Sequence, residues 1–158
     1  MGKIPKEHLS LAGEYAVASE LCRRGIYAQL TLGTRKKTDI LTDTETAKLR
    51  IQVKAKQGNR WPCKGVFGEN MMLVFVDFEN KEINERPDFY ILTSSDWENF
   101  IKSWESDAIS AGKCYLDKEN CPVWPSTASE KEPYKGENVP AGAIAQYKEC
   151  WDKIETPA

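Results

Sequence analysis

Histidine occurs once in the 158 residues, at His8. That scarcity excludes His-based metal clusters, Ser-His-Asp triads and nuclease centres built on histidine. Neither GxxxxGKS/T nor GxGxxG is present, which removes the usual nucleotide-binding loops. The five cysteines, Cys22, Cys63, Cys114, Cys121 and Cys150, form no CxxC pair, and their odd number argues against a closed disulfide framework. They read as reduced thiols, most of them filling the core. No run of about 20 apolar residues is available for a membrane span. The opening MGKIPKEHLS lacks the apolar stretch of a secretory signal. The expectation is an intracellular, cytoplasmic protein with no membrane partner.

What is present supports one folded unit. Hydrophobic residues make up 41% of the chain, enough for a core at this length, so a single domain over 1–158 is expected. The formal net charge is −2, but it is unevenly spread. Residues 1–64 hold 13 Lys and Arg against 6 Asp and Glu, a balance of +7; the remainder hold 9 against 18, a balance of −9. Phosphate binding depends on local positive charge. The asymmetry therefore fits a surface facing a polyanion, and fits equally a chain whose charge the fold later mixes.

From Pro5 to Arg24, Leu11, Tyr15, Ala18, Leu21 and Cys22 recur at helical spacing, and Gly25 stands where a helix ends. IYAQLTL reads as a strand, followed by the basic loop GTRKK, a strand over TDILTD and a hairpin partner KLRIQVKAK. After the connection QGNRWPCKGVFGEN, the apolar run MMLVFVDF suits a central strand buried on both faces, and PDFYILTS is the next strand. Ser95 or Asp96 can cap a helix through DWENFIKSWESDAIS, with Trp97, Ile101 and Trp104 on one face. The core spans about 5–110. Residues 111–138 read as an irregular surface excursion, pinned by Tyr115, Val123, Trp124 and Tyr134. A closing helix is expected over 139–155, with Ile144, Tyr147, Trp151 and Ile154 on one side. This order predicts an α/β or α+β layer structure around one mixed sheet.

Some polar residues sit where apolar ones belong. Glu14 lies three residues after Leu11, four before Ala18 and seven before Leu21, so it is expected to face the sheet. A carboxylate there requires a cation, a donor or a metal ion. Gly13 beside it costs about 1 kcal/mol of helix propensity relative to Ala, which close packing on another backbone would explain. Gln52 and Lys54, two apart on a strand, point the same way with Cα atoms about 7 Å apart. The hairpin ILTDTETAKLRI can bring Asp39 alongside them, so Glu14, Asp39, Gln52 and Lys54 can converge. Two carboxylates and an amide oxygen suit the hard-oxygen preference of Mg²⁺, and an ammonium can steady charge on an attacked phosphate, which together suit metal-assisted phosphodiester hydrolysis. The alternative for QVKAK is the solvent face of an edge strand, where lysines discourage aggregation. Asp39 alone also suits a turn or a strand end.

Taken together, GEYAVASELCRRG, TDIL and IQVKAK resemble the motif set of the PD-(D/E)xK nuclease superfamily in its QxK variant, with the group I intron homing endonuclease and Holliday-junction resolvase branches nearest. The resemblance covers residues 10–101. It implies an α/β fold with a restriction endonuclease-like αβββαβ core, a central mixed sheet flanked by helices. It also implies Asp39 and Gln52 as metal ligands, Glu14 completing the metal site directly or through water, and the Val53 carbonyl as a further ligand. Lys54 takes the place of the catalytic lysine, Mg²⁺ or Mn²⁺ that of the cofactor, and double-stranded or branched DNA that of the substrate. Thr38 stands where the family often has Pro, and Gln52 replaces the commoner acid, removing one negative charge from the metal site.

Arg35, Lys36 and Lys37 directly precede Asp39, where backbone phosphates would approach, and Lys56, Arg60 and Lys64 are further candidates for nucleic-acid contact. The same charges also suit a solvated loop. Trp61 could stack on or wedge into DNA, or serve as a packing anchor; Trp97, Trp104 and Trp151 read as core. The leading expectation is a metal-dependent endonuclease that hydrolyses DNA phosphodiester bonds, with RNA as a weaker option for the substrate. The alternative is a catalytically inactive nuclease-fold domain that binds nucleic acid or another protein. Cutting both strands generally takes two active sites, which makes a homo-oligomer possible.

Overall fold

The chain enters α1 (Lys6–Arg23) directly after Pro5 and leaves it where Gly25 adopts a φ of 77°. There the Ile26 amide donates to the Leu21 carbonyl at 3.0 Å, so a positive-φ glycine ends the helix. The computed structural model describes residues 2–32, 37–129 and 131–155. β1 (Tyr27–Leu30), β2 (Ile40–Asp43) and β3 (Lys48–Lys56) form an antiparallel meander. β4 (Arg60–Cys63) leaves that sheet, and β5 (Met71–Asp77) and β6 (Asp88–Thr93) complete it in the order β1-β2-β3-β5-β6. β3 and β5 run parallel, and β5 and β6 antiparallel. The protein is thus an α/β fold with a central mixed sheet flanked by helices. A parallel pair requires a crossover. Residues 57–70, carrying β4, make it where an αβββαβ order would place a helix; the second helix, α2 (Ser94–Trp104), follows β6 instead.

Alternation along the strands separates two apolar layers. Ile51, Val53, Met72, Val74, Val76, Phe89 and Ile91 pack with Val17 and Leu21 of α1. Leu73, Phe75, Tyr90 and Leu92 face the other way, onto Trp97, Phe100 and Ile101 of α2 and onto Trp61. β5 is buried throughout, as a central strand covered on both faces must be.

The face by which α1 packs differs from the expected one. Leu9, Gly13, Val17 and Leu21 are buried, whereas Leu11, Tyr15 and Cys22 are exposed. Gly13 sets this choice: a Cβ there would stand 2.7 Å from Ala55 Cβ and 3.5 Å from Val53 Cγ1, so the missing side chain lets the helix settle onto β3 along that line. At the start of α2, Thr93 is the cap rather than Ser95 or Asp96. Thr93 Oγ1 accepts from the Asp96 amide at 3.0 Å while Asp96 Oδ2 accepts from the Thr93 amide at 2.9 Å. The helix stops at Glu105 and resumes as the short α3 (Ser106–Ser110), which leaves Trp104 45% exposed instead of in the core.

The excursion at 111–138 is more ordered than its composition suggests. β7 (Tyr115–Leu116), β8 (Pro122–Trp124) and β9 (Tyr134–Lys135) form a small antiparallel sheet, anchored by buried Val123 and by the Trp124 indole donating to the Gly136 carbonyl at 3.0 Å. Tyr115 and Tyr134 do not pin it; both are exposed. The closing helix over 139–155 does not form. β10 (Glu137–Pro140) pairs with β4, a 3₁₀ segment covers Ala141–Tyr147, and only Asp152–Glu155, α4, is α-helical. Glu149, at a φ of 57°, breaks any continuous helix. Ile144 joins the α2 layer and Trp151 and Ile154 the α1 layer, so these apolar positions are buried without forming one stripe.

Two buried ionic groups tie the layers together. Glu20 accepts from Arg86 Nε at 2.9 Å, Arg24 at 2.7 Å and Arg23 at 3.1 Å, and Arg86 continues to Glu149 at 2.6 Å. The Arg86 bond, helped by Arg24 and Arg23, outweighs burial and holds the Glu20 carboxyl at about 2. On β3, Lys56 is 3% exposed; its Nζ reaches Asp77 and Glu79 at 2.7 Å each and the Gly58 carbonyl at 2.9 Å, and lies 4.6 Å from the Trp61 ring centre.

Lys56→Met is expected to cost about 3–5 kcal/mol in urea unfolding because it strands Asp77 in the interior, and Lys56→Met with Asp77→Leu should recover much of that loss. A neutral single variant would show that the pair carries no such load. The depressed Glu20 carboxyl contributes stability that is complete above its unfolded value of about 4.3 and is lost as pH falls through the folded value. Glu20→Gln should therefore lower the urea midpoint at neutral pH, and the gap to wild type should narrow as pH is lowered towards about 2. A gap independent of pH would remove the ionic explanation.

Candidate active site

The β2–β3 register pairs Ile40 with Ile51, so Asp39, one residue before β2, stands opposite Gln52. The Asp39 amide donates to the Ile51 carbonyl at 2.9 Å and its carbonyl accepts from the Thr31 amide at 2.9 Å. Its side chain takes the next rung itself: Asp39 Oδ2 accepts the Val53 amide at 2.7 Å. Residues directly opposite in an antiparallel pair project from the same face. Asp39 therefore shares a face with Gln52 and Lys54, away from Ile51 and Val53.

β3 is an interior strand, flanked by β2 and β5, which excludes the solvent-edge explanation of its polar row. The row divides by function. Lys56 faces Asp77 in register and is consumed by its buried ion pairs, whereas Gln52 and Lys54 border an open cleft of about 730 Å³. Lys54 Nζ has no hydrogen-bond or ion-pair partner among the described residues.

Glu14 enters from α1, half-buried beside the Gly13 contact. Burial raises its carboxyl above the usual range, and the charge of Asp39 raises it further. Burial also raises Asp39, against the opposing effects of the Val53 amide and the Lys54 charge. Charge links Glu14 to Asp39 and Asp39 to Lys54, and register sets Gln52 opposite Asp39; Gln52 and Lys54 line the cleft, whereas Asp39 and Glu14 do not, and Glu14 comes from α1, which packs on the Ile51 and Val53 face of β3. Two carboxylates, the Gln52 amide oxygen and a strand carbonyl are oxygen donors of the kind Mg²⁺ and Mn²⁺ take. A divalent cation would relieve the penalty on both acids. Among the described residues no group of three or more His, Cys, Asp or Glu is placed to hold a metal, so any such ion would depend on the amide as well as the acids.

The far wall of the cleft comes from the β4–β5 connection and the small sheet, with Lys64, Phe67, Asp117, Glu119, Tyr134 and Lys135 among its lining residues. Its acids are already engaged: Glu119 accepts Lys37 Nζ at 2.8 Å, and Asp117 Oδ1 accepts the Glu119 and Cys121 amides at 2.8 and 3.0 Å. Lys54, Lys64 and Lys135 have no ion pair among the described residues, which leaves the cleft positive. Burial pushes the Cys63 thiol on this wall up to about 11, so it is no nucleophile.

Of the basic residues singled out by sequence, Lys37 and Lys64 line the cleft, and Arg60 is exposed on β4 but does not. Arg35 and Lys36 lie outside the described residues. Lys56 is corrected from a phosphate contact to an interior ion pair, because its ammonium has no path to a ligand. Of the two readings of Trp61 the packing anchor holds: it is 1% exposed, its ring lies 4.9 Å from Phe75 and 5.6 Å from Tyr90, and its indole donates to the Val76 carbonyl. Lys135 and Phe67 carry no motif and Tyr134 reads from sequence only as an anchor; the pairing of β10 with β4 sets the segment after β9 against the start of the connection that carries Phe67.

Neither a family model nor a curated protein sequence matches the chain. A solved bacterial homing endonuclease has a similar fold. The likeness covers 96% of this chain and 94% of that one at 16% identity with a TM-score of 0.49.

Asp39 has a ladder role and a charge role, which two substitutions separate. Asp39→Asn keeps an acceptor for the Val53 amide and removes the penalised charge, so stability at neutral pH is expected to hold or rise. Asp39→Ala leaves that amide unpaired and should cost about 1–3 kcal/mol. Because the folded carboxyl is raised, its penalty is absent below the unfolded value of about 3.9 and grows as pH rises through the folded one. The advantage of the Asn variant should therefore grow over that interval in urea midpoints, and equal loss in both variants would contradict this division.

Proposed function

We propose that the protein is a metal-dependent endonuclease that hydrolyses DNA phosphodiester bonds, with Glu14, Asp39, Gln52 and Lys54 as its site. The observation that carries this reading is the Asp39 carboxylate locked by the Val53 amide in register with Gln52, which is two residues along β3, on the same face, from an unpartnered Lys54 at the edge of a positive cleft. Locking one carboxylate oxygen fixes where the other points, and strand pairing fixes Gln52 against it, so the donor set is preorganised.

Asp39, Gln52, Glu14 and the Val53 carbonyl would hold Mg²⁺ or Mn²⁺. Bound there, the ion supplies Lewis-acid activation of the phosphodiester. Lys54 donates to a phosphoryl oxygen and offsets the negative charge that develops on it. Lys64 and Lys135, which have no ion pair among the described residues, neutralise neighbouring phosphates and set the position of the strand.

A second reading, a nuclease-fold domain that binds nucleic acid without cutting it, draws on Gln52 standing where an acid would complete the metal site, with no group of three His, Cys, Asp or Glu placed to hold a metal among the described residues. Plasmid cleavage in Mg²⁺ or Mn²⁺ separates the two. Wild type should cut, and Asp39→Ala and Lys54→Ala should each lose at least about 100-fold in rate, the order typical of groups acting on transition-state charge. Unchanged cutting by both variants would falsify the site assignment, and salt-dependent DNA binding without metal-stimulated cutting would favour the second reading.

A further inference from the structure

The cleft carries two aromatic rings that packing does not explain. Phe67 is 52% exposed and Tyr134 51%, both line the cleft, and neither contacts another aromatic ring among the described residues. Phe67 is held out by the construction of its loop. Gly65, at a φ of 84°, lies flush against the Trp97 indole, where a Cβ would come within 2.1 Å. Val66 turns inward and is 4% exposed, and the Gly68 amide donates to Ser94 Oγ at 3.2 Å. With both neighbours fixed and Val66 taking the interior, the Phe67 ring can only project outward. Tyr134 is likewise set by backbone pairing with Trp124, whose indole is tied to Gly136.

Resting on the nuclease reading above, we infer that the cleft accepts nucleic acid carrying an unpaired base near the reacting phosphate, and that Phe67 and Tyr134 provide the faces on which that base rests. In a paired duplex the faces of the bases are covered by their neighbours, so exposed rings gain nothing from it. An unpaired or extruded base offers a free π-face, and stacking on aromatic side chains is how single-stranded and flipped nucleotides are held. The three unpaired lysines around the rings fit the phosphates on either side and favour a polyanion over an apolar peptide. Phe67 and Tyr134 would therefore determine which DNA is recognised without touching the reacting atoms.

The test is fluorescence anisotropy of the full chain in EDTA, which suppresses cutting, with a fully paired duplex and the same duplex containing one unpaired 2-aminopurine. Wild type should bind the unpaired form about 10-fold more tightly and quench its 2-aminopurine, the order expected for one stacked base. Phe67→Ala and Tyr134→Ala should each reduce that preference and the quenching while leaving affinity for the paired duplex unchanged; Lys64→Ala should weaken both complexes alike. Both rings are half exposed, so these substitutions should leave thermal unfolding unaltered. Equal affinity for the two duplexes, or a preference that survives both alanine variants, overturns the inference and leaves the nuclease reading standing. No binding to either duplex overturns the inference, and the nuclease reading is then decided by the plasmid assay in Mg²⁺ or Mn²⁺.

Discussion

The hydrogen bond from the Val53 amide to the Asp39 carboxylate occupies a rung of the β2–β3 ladder that a backbone carbonyl would otherwise fill. Strand register allows no half-steps: a slip by one residue would turn Gln52 and Lys54 towards α1 and expose Ile51 and Val53. That single side-chain bond thus helps hold the parity on which both the apolar layer beneath α1 and the polar row above it depend. It also couples folding to the site, since the group that completes the ladder is the acid at the centre of the candidate chemistry.

The arrangement is costly for the native state. Two carboxyls sit where burial, and in Glu14 a neighbouring charge as well, disfavours ionisation. A helix glycine is kept because the approach to Ala55 and Val53 leaves no room for a methyl. Such local conflicts between stability and arrangement are expected at functional sites. They contrast with Glu20 and Lys56, which are just as charged and more deeply buried but fully partnered. Partnering distinguishes the structural ions from the candidate reactive ones.

Much of the core was legible because it rests on local patterns. The run MMLVFVDF is the buried central strand, the alternation of IQVKAK sets one face of β3 against the other, and Gly25 ends the first helix. Within the candidate set, Glu14 stood out as a carboxylate in an apolar stripe and Gln52 and Lys54 as a polar row on one strand, while the register that sets Asp39 opposite Gln52 is visible only in the folded sheet. What failed depended on contacts distant in sequence. Lys56 and Lys54 have the same strand phase, and only the register against Asp77 makes one of them an interior ion pair. Leu11 and Tyr15 fit a helical stripe as well as Val17 and Leu21 do, and the choice between them was made by the space above Ala55. The C-terminal apolar spacing resembled a helix because two layers of core are each served by one or two residues from the same segment.

The pairing of β4 with β10 joins residues 60–63 to residues 137–140. A chain emerging from the ribosome has all five strands of the main sheet once residue 93 is free, but at that point β4 has no strand to pair with and the part of the far wall supplied by the small sheet does not yet exist. Translation therefore separates assembly of the scaffold from completion of the groove, and a polypeptide ending before the small sheet would carry the acids and the lysine beside a groove walled only by the β4–β5 connection.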